Sequence, residues 1–335
     1  MTGLPDLSRH RQRCAGLISF IAAGLLTITS PLAAETYPSR PIRLLHGFAA
    51  GGAADALARI ISEALEKRLG QPVIVEAKAG AGGNIAAAAV ANSAPDGYTL
   101  GLVTGAHAIS GALYARLAYN PIDSFDMVST LVYYALVVAV RADYPAKTLP
   151  DLIARAKQAP EGLSFGSVGF GSTHHLAGEL LNATAGIRMV HVPFRGDAQS
   201  VTALLGGQVP VIIGTTVLLA GQIDSGAVRG LAVTSPRRTP LLPNVPSAEE
   251  AGLKGYDVRT WAGLVLPKGV PADVLSRLNA EVNAMLADAG VKKALEKATG
   301  GEARGSTPDD MRALVRSEIT KWSKVIDEAK IARIE

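Results

Sequence analysis

Apolar residues recur along this chain in short runs that alternate with helically spaced stretches. Ile42–His46 reads as a short strand. In the next segment, 54–69, Leu57, Ile60, Ile61, Ala64 and Leu65 fall on one helical face. Gly70 follows, where a glycine commonly closes a helix. A strand over 72–76, a helix over 85–92, a Pro95-Asp96-Gly97 turn and a strand over 99–104 complete a βαβαβ series. That order predicts a mostly parallel sheet covered by helices. A second series begins with a strand at 136–141 and a helix at 149–158. Strands at 163–167, 189–192, 209–214 and 230–233 follow, separated by helices from 173, over 198–205 and over 218–225. After an apolar run at 261–266 the pattern is helical, in blocks 272–288 and 308–330. The first series supplies too few helices to cover its own sheet. The chain is therefore expected to return to the first lobe after Trp261, so that two crossings form a hinge. The expected organisation is a leader over 1–34, a first lobe over 35–136, a second over 137–260 and a return to the first over 261–335.

The N-terminus departs from this alternation. Arg9, Arg11 and Arg13 precede an apolar run from Ala15 to Thr29, then Pro31 and the small residues Ala33 and Ala34. A basic head, a short apolar middle and a small-residue exit make a secretory signal peptide. An uncleaved anchor is the alternative, but the run is short of the roughly 20 apolar residues a spanning helix needs. Cleavage fits best after Ala34 and predicts a periplasmic protein. Cys14, the single cysteine, would leave with the leader, so neither a disulfide framework nor a thiolate metal site is expected.

Charge changes the picture only by exclusion. The chain has 33 Lys and Arg against 29 Asp and Glu. Losing Arg9, Arg11, Arg13 and Asp6 with the leader leaves 30 − 28 = +2. So small an excess gives no long-range attraction to nucleic acid and no polybasic membrane surface. About 300 remaining residues exceed what one core usually supports, in keeping with two lobes.

The candidate chemistry lies in glycine-rich strand-to-helix turns. They are Phe48-Ala49-Ala50-Gly51-Gly52, Gly80-Ala81-Gly82-Gly83-Asn84, Thr104-Gly105-Ala106-His107 and Ser167-Val168-Gly169-Phe170-Gly171-Ser172-Thr173-His174. Ligands of open α/β sheets bind at the carboxyl ends of the strands. Glycine lets backbone N–H groups converge, and helix N-termini favour an anion there. A single such turn is as readily a plain structural turn; four together carry more weight. The phosphate-cradling lysine motif is absent, and the dinucleotide spacing fails at 80–83. No cofactor is expected. Adjacent His174 and His175 point about 100° apart on a helix, which suits one metal ion poorly. Ser172 with His174 suggests a nucleophile and base, but without a nucleophile elbow, and helix capping is the simpler role. Asp55 is read as structural support near its helix start. Arg195 either clamps a carboxylate or lies on the surface, and Trp261 is either a cleft wall or core.

Read in order, these turns resemble the substrate-binding receptors of tripartite tricarboxylate transporters, the Bug family. The resemblance covers the mature chain, from Tyr37-Pro38-Ser39-Arg40-Pro41-Ile42 through Gly171-Ser172-Thr173-His174-His175 and Val192-Pro193-Phe194-Arg195-Gly196 to Leu242-Pro243-Asn244-Val245-Pro246. It implies an α/β, two-lobed periplasmic binding protein, a type II-like Venus flytrap, that holds a small carboxylate and performs no chemistry on it. Ligand contacts implied by position are Phe48, Ala49, Ala50, Gly51, Gly52, Thr104, Gly105 and Ala106 in the first lobe. In the second they are Ser167, Ser172, Thr173, His174, Arg195 and Thr215. The implied partners are a mono- or dicarboxylate or aromatic acid and the subunits of a membrane permease, with the receptor a monomer. A ligand sensor feeding a two-component system is the alternative, and a hydrolase using Ser172 and His174 a more distant one. Three positions depart from the family: Gly47 stands where proline is usual, His107 lies in the third turn, and Gly214-Thr215-Thr216 replaces a common acidic or amide residue. They bear on which acid is held.

Overall fold

Two strand series share one long strand in the computed structural model, which describes Thr2 and residues 37–335 apart from positions 160 and 329. The apolar run of the expected leader and its cleavage point after Ala34 lie outside the described residues. The first series is β1 (Ile42–His46), α1 (Ala53–Leu69), β2 (Val73–Ala77), a 3-10 turn at Ala81–Gly83, α2 (Asn84–Ala91), β3 (Thr99–Thr104) and α3 (Gly105–Leu113). β4 (Phe125–Arg141) follows. The second series is α4 (Leu149–Gln158), β5 (Leu163–Ser167), α5 (Thr173–Ala185), β6 (Met189–Pro193), α6 (Asp197–Leu205), β7 (Val211–Thr215), α7 (Thr216–Asp224) and β8 (Val228–Val233). β9 (Arg259–Pro267), α8 (Ala272–Ala287), α9 (Ala289–Thr299), β10 (Glu302–Ala303) and α10 (Pro308–Glu328) close the chain.

The strand order is β2-β1-β3-β9-β4-β7-β5-β6, with β8 and β10 also paired to β4. The three outer strands of each series run parallel, whereas β9, β4 and β8 pair antiparallel. β9 inserts between β3 and β4, with Gly101 opposite Val265 and Phe125 opposite Pro267. The helices after β9 then pack on the first series: α8 against α1 and β4, α9 against α1, and α10 against α3 and β4.

Local chemistry explains the elements. In α1, Leu57, Ile61 and Leu65 are fully buried, Asp55 lies in the first turn, and Lys67 and Arg68 lie in the last. Those charges offset the helix dipole at both ends. Gly70 adopts φ +70° and donates to the Glu66 carbonyl at 2.9 Å, the left-handed closure that glycine allows. α4 begins with a capping box between Thr148 and Asp151.

β4 is longer than the strand expected at 136–141. Its first half was hidden by polar residues, Asp126, Ser129 and Thr130, all of which are buried. Each finds a distant partner. Asp126 accepts from Lys268 Nζ at 2.6 Å and from the Gly269 and Val270 N–H groups. Ser129 and Thr130 donate to the Ser306 and Arg304 carbonyls. The second half is apolar on both faces. Leu136, Val138 and Val140 enter one core cluster, while Val137 and Ala139 enter another with Leu204, Ile212 and Leu219. Trp261 is 2% exposed and packs in the core with Leu45, Phe125 and Met311, so it is not a cleft wall.

Thr234 stitches the strands where they pass between the series. Its Oγ1 accepts from Leu136 N–H at 2.9 Å and donates to the Val258 carbonyl at 2.6 Å. Its backbone N–H and C=O also bond Leu136 and Val258, at 2.9 Å each. The side chain is fully buried. Thr234→Val keeps the shape but leaves a buried donor and acceptor without this partner, at a cost of about 1–3 kcal/mol. A urea unfolding curve should show the midpoint lowered accordingly; an unchanged midpoint would mean that water or backbone shifts replace the hydroxyl.

Candidate functional site

Five helix N-termini meet at one cleft. From the first series come Phe48, Ala49 and Gly52 with the first residues of α1, Ala53 and Ala54, and then Thr104 and Ala106 at the start of α3. From the second come Val168, Ser172, Thr173 and His174 at the start of α5, Gly196 and Asp197 at α6, and Thr215 at α7. Tyr134 on β4 and Thr260 on β9 complete the wall.

The α1 end has the open N–H groups that could receive an anion. Gly52 is its N-cap and supplies no side-chain oxygen. The N–H groups of Ala53 and Ala54 therefore have neither an intrahelical partner nor a side-chain cap. The loop ahead of them is held independently of any ligand. Gly51 sits at φ +83°, a region that glycine enters without strain, and its N–H donates to Asp55 Oδ2 at 3.2 Å. Arg59 grips the same carboxylate through Nε at 3.0 Å and Nη2 at 3.3 Å. Burial works against ionisation of Asp55, but the Arg59 and Gly51 contacts prevail and hold its pKa below the usual carboxylate value. Asp55 thus has the structural role expected of it.

Of the other helix starts, α3 and α5 carry side-chain caps, whereas α6 and α7 do not. Ser172 Oγ donates to the Gly169 carbonyl at 2.7 Å and accepts from His175 N–H at 3.2 Å. It makes no hydrogen bond to His174 among the described residues, and its hydroxyl behaves as a cap, not as an activated nucleophile. Thr104 Oγ1 accepts from Ala106 N–H at 3.4 Å. Thr173 Oγ1 lies 3.2 Å from Thr260 Oγ1, so α5 and β9 touch at the cleft floor.

The remaining expected site residues lie off the cleft lining. Ala50 and Gly51 are exposed on the first loop. Gly105 is packed beneath it: a Cβ there would lie 2.6 Å from Thr260 Oγ1. Ser167 is fully buried and bonded to His191 Nε2 at 2.6 Å. The Arg195 side chain is exposed. His107 is 4% exposed, its Nε2 bonded to the Pro121 carbonyl at 2.8 Å and its ring stacked on Tyr119.

Tyr134, Thr260 and Asp197 also line the cleft but carry no local sequence signal. Tyr134 and Thr260 sit within apolar strands and are brought to the cleft by the pairing of β4 with β9. Asp197 follows the Pro193–Gly196 turn, whose arginine drew attention instead. It is 8% exposed, with Oδ1 3.5 Å from Thr215 N and 3.4 Å from His174 Nε2. The His174 contact is not a hydrogen bond, since Nε2 has no hydrogen-bond partner. Burial, and then the Asp197 carboxylate, push the Tyr134 phenol well above its ordinary pKa.

The loops of the two series touch around this cleft. A Cβ on Gly196 would lie 3.7 Å from the Ala49 methyl. At Gly82, where φ is +64°, a Cβ would come within 2.7 Å of the Phe170 carbonyl.

The sequence profile of the tripartite tricarboxylate transporter family receptor matches residues 57–331. The chain belongs to this family. It is 37% identical over 329 residues to the UPF0065 protein of the tcbD-tcbE intergenic region of Pseudomonas sp. strain P51, covering 98% of this chain and 97% of that one. Among solved structures, the periplasmic binding protein BugD superposes with a TM-score of 0.83 at 33% identity, over 88% of this chain and 99% of that one. Rpa4515 of R. palustris, solved with adipate, gives 0.84 at 34% identity over the same shares. The fold is thus that of a two-lobed periplasmic solute-binding receptor, as the order of the glycine-rich turns implied.

Four histidines whose pKa the fold lowers, His46, His107, His175 and His191, should make the family member acid-sensitive. Burial holds His107 and His175 down to about 4. Burial, and then the stacked His175 ring, hold His191 down to about 3. An unfolded histidine titrates near 6.5. Between those limits the unfolded chain binds more protons, so stability falls as pH drops from about 6.5 towards 4 and 3. His191→Asn should flatten that slope by up to about 1.4 kcal/mol per pH unit, read from unfolding curves at several pH values.

Proposed function

We propose that this receptor captures a small carboxylate in the cleft and delivers it to a membrane permease of the tripartite tricarboxylate type. The observation that carries the reading is the uncapped α1 N-terminus, with Ala53 and Ala54 N–H groups open to the cleft beside the preset Gly51-Gly52 loop. Donors of this kind favour an anion by their own dipoles and by the helix field. The adipate seen in the neighbouring structure supports a carboxylate as the anion. Residues 35–136 and 261–335 form the anion-holding lobe, and 137–260 the lobe that closes on it. Closure brings α5, α6 and α7 to the ligand and leaves the facing loops in the contacts seen at Ala49 and Gly82. The ligand is released as it was bound, a reading supported at one point by the Ser172 hydroxyl, which is committed to the Gly169 carbonyl and not free as a nucleophile. Export by a leader cleaved after Ala34 places the receptor where it meets its solute.

Thermal unfolding of ligand-stripped protein across a panel of small carboxylates tests the reading. A ligand at a hundredfold excess over its dissociation constant stabilises the folded state by about 2.7 kcal/mol. One or two related acids should raise the transition; no shift with any acid would overturn it. Gly52→Val supplies the site-specific arm. The Gly52 backbone is extended, at φ −89°, and a Cβ meets nothing closer than 3.7 Å, so a β-carbon is accommodated there, and the variant's own unfolding transition checks that it folds. Its side chain fills the anion position, and the thermal shift should disappear. A valine variant that binds as the parent does would remove the first loop from the site.

A further inference from the structure

The second series presents a carboxylate to a cleft whose other side is built to bind one. Asp197 stands in the first turn of α6, next to the start of α7. Those helix ends are where the far carboxylate of a dicarboxylate would find positive potential. Asp197 already occupies that field, and a second anion placed there would meet a like charge. Its own needs are not met by the protein. Oδ1 has a 3.5 Å contact to Thr215 N, at the limit of a hydrogen bond, and the misaligned His174 ring at 3.4 Å. Oδ2 takes no hydrogen bond among the described residues and faces Gly52, lying 4.0 Å from where a Cβ would stand on it. Beside it, Thr215 Oγ1 is buried with no hydrogen-bond partner among the described residues. Among the described residues, no lysine or arginine lines the cleft.

A buried carboxylate with open lone pairs is costly until a donor, best a charged one, completes it. We infer that the ligand carries a protonated amine as well as a carboxylate, and that Asp197 receives the amine with Thr215 Oγ1 as a second acceptor. The inference rests on the receptor reading above and narrows it: one end of the ligand meets N–H donors at α1, the other meets acceptors at α6 and α7. A zwitterion satisfies both ends, whereas a dicarboxylate satisfies only the first. Asp197 is in this sense the specificity-determining residue of the site.

Calorimetry on ligand-stripped protein at pH 7.5, with matched compounds, tests this. Each set is an amino acid, the same acid without its amine, and the acid in which a carboxylate replaces the amine. Alanine with propionate and methylmalonate, and 4-aminobutyrate with butyrate and glutarate, are two such sets; longer and branched homologues extend them. At least one amino acid should bind ten-fold or more tightly than both of its counterparts. Asp197→Asn should remove that preference, weakening the amino acid ten-fold or more while leaving the dicarboxylate unchanged or improved. A purely structural Asp197 would weaken both classes alike. Wild-type protein that prefers the dicarboxylate, or an Asn variant that keeps the preference for the amine, overturns the inference and leaves the carboxylate receptor standing. If no compound of any class binds, the receptor reading falls and the inference with it. Should the Asn variant fail to fold, the wild-type ranking within each set decides the matter alone.

Discussion

Burial of β4 on both faces and along both halves is the constraint from which the architecture follows. A strand in two sheets must satisfy two hydrogen-bond ladders and two cores at once. The apolar second half does so by alternation, with Leu136, Val138 and Val140 on one side and Val137 and Ala139 on the other. The first half does so with polar residues matched by distant partners, such as Asp126 with Lys268. β9 can then return only beside it, and the helices after β9 pack mainly on the first series, with α9 also touching α7 through Thr216 and Thr299. Thr234 fixes the point of passage, because the crossing strands take both backbone and side-chain bonds from it.

With the sheets so placed, the carboxyl ends of β1, β3, β5 and β7 point at one another, and the helices that follow aim their N-termini into a shared space. The positive field of that space is not uniform. At α1 it is left open, since Gly52 brings no cap. At α5 it is partly answered by Ser172. Gly196 likewise leaves α6 uncapped, but the Asp197 carboxylate stands in its first turn and meets the start of α7. The site is therefore polarised, with donors on one side and acceptors on the other, although almost no formal charge lines it.

Much of this was legible in the sequence, for physical reasons. β1, β2, β5 and β6 are short β-rich runs ended by turns, and the runs show directly. The glycine-rich turns mark the cleft because a backbone that must approach a ligand or take a positive φ, as at Gly51, leaves glycine as its trace. What stayed hidden depended on long-range partners. The first half of β4 reads as polar until Ser306 and Arg304 are known to lie against it. α3 was masked by Gly105 and Gly111, which are small because Thr260, Pro121 and Ile319 crowd them. α9 was lost between two stronger helical blocks. The meaning of Asp197 depends on His174, distant in sequence, and on the gap across to Gly52, neither of which has a local signature.

The Asp55 carboxylate, which accepts from Gly51 and Arg59, has a further consequence. It fixes the first loop whether or not the cleft is filled, so that loop spends no ordering entropy when a ligand arrives. The two walls of the cleft can then change independently. Substitutions at 197 and 215 would alter one wall, while the α1 side, held by Asp55, would stay as it is. A receptor built this way acquires a new diet by altering one wall and leaving the other untouched.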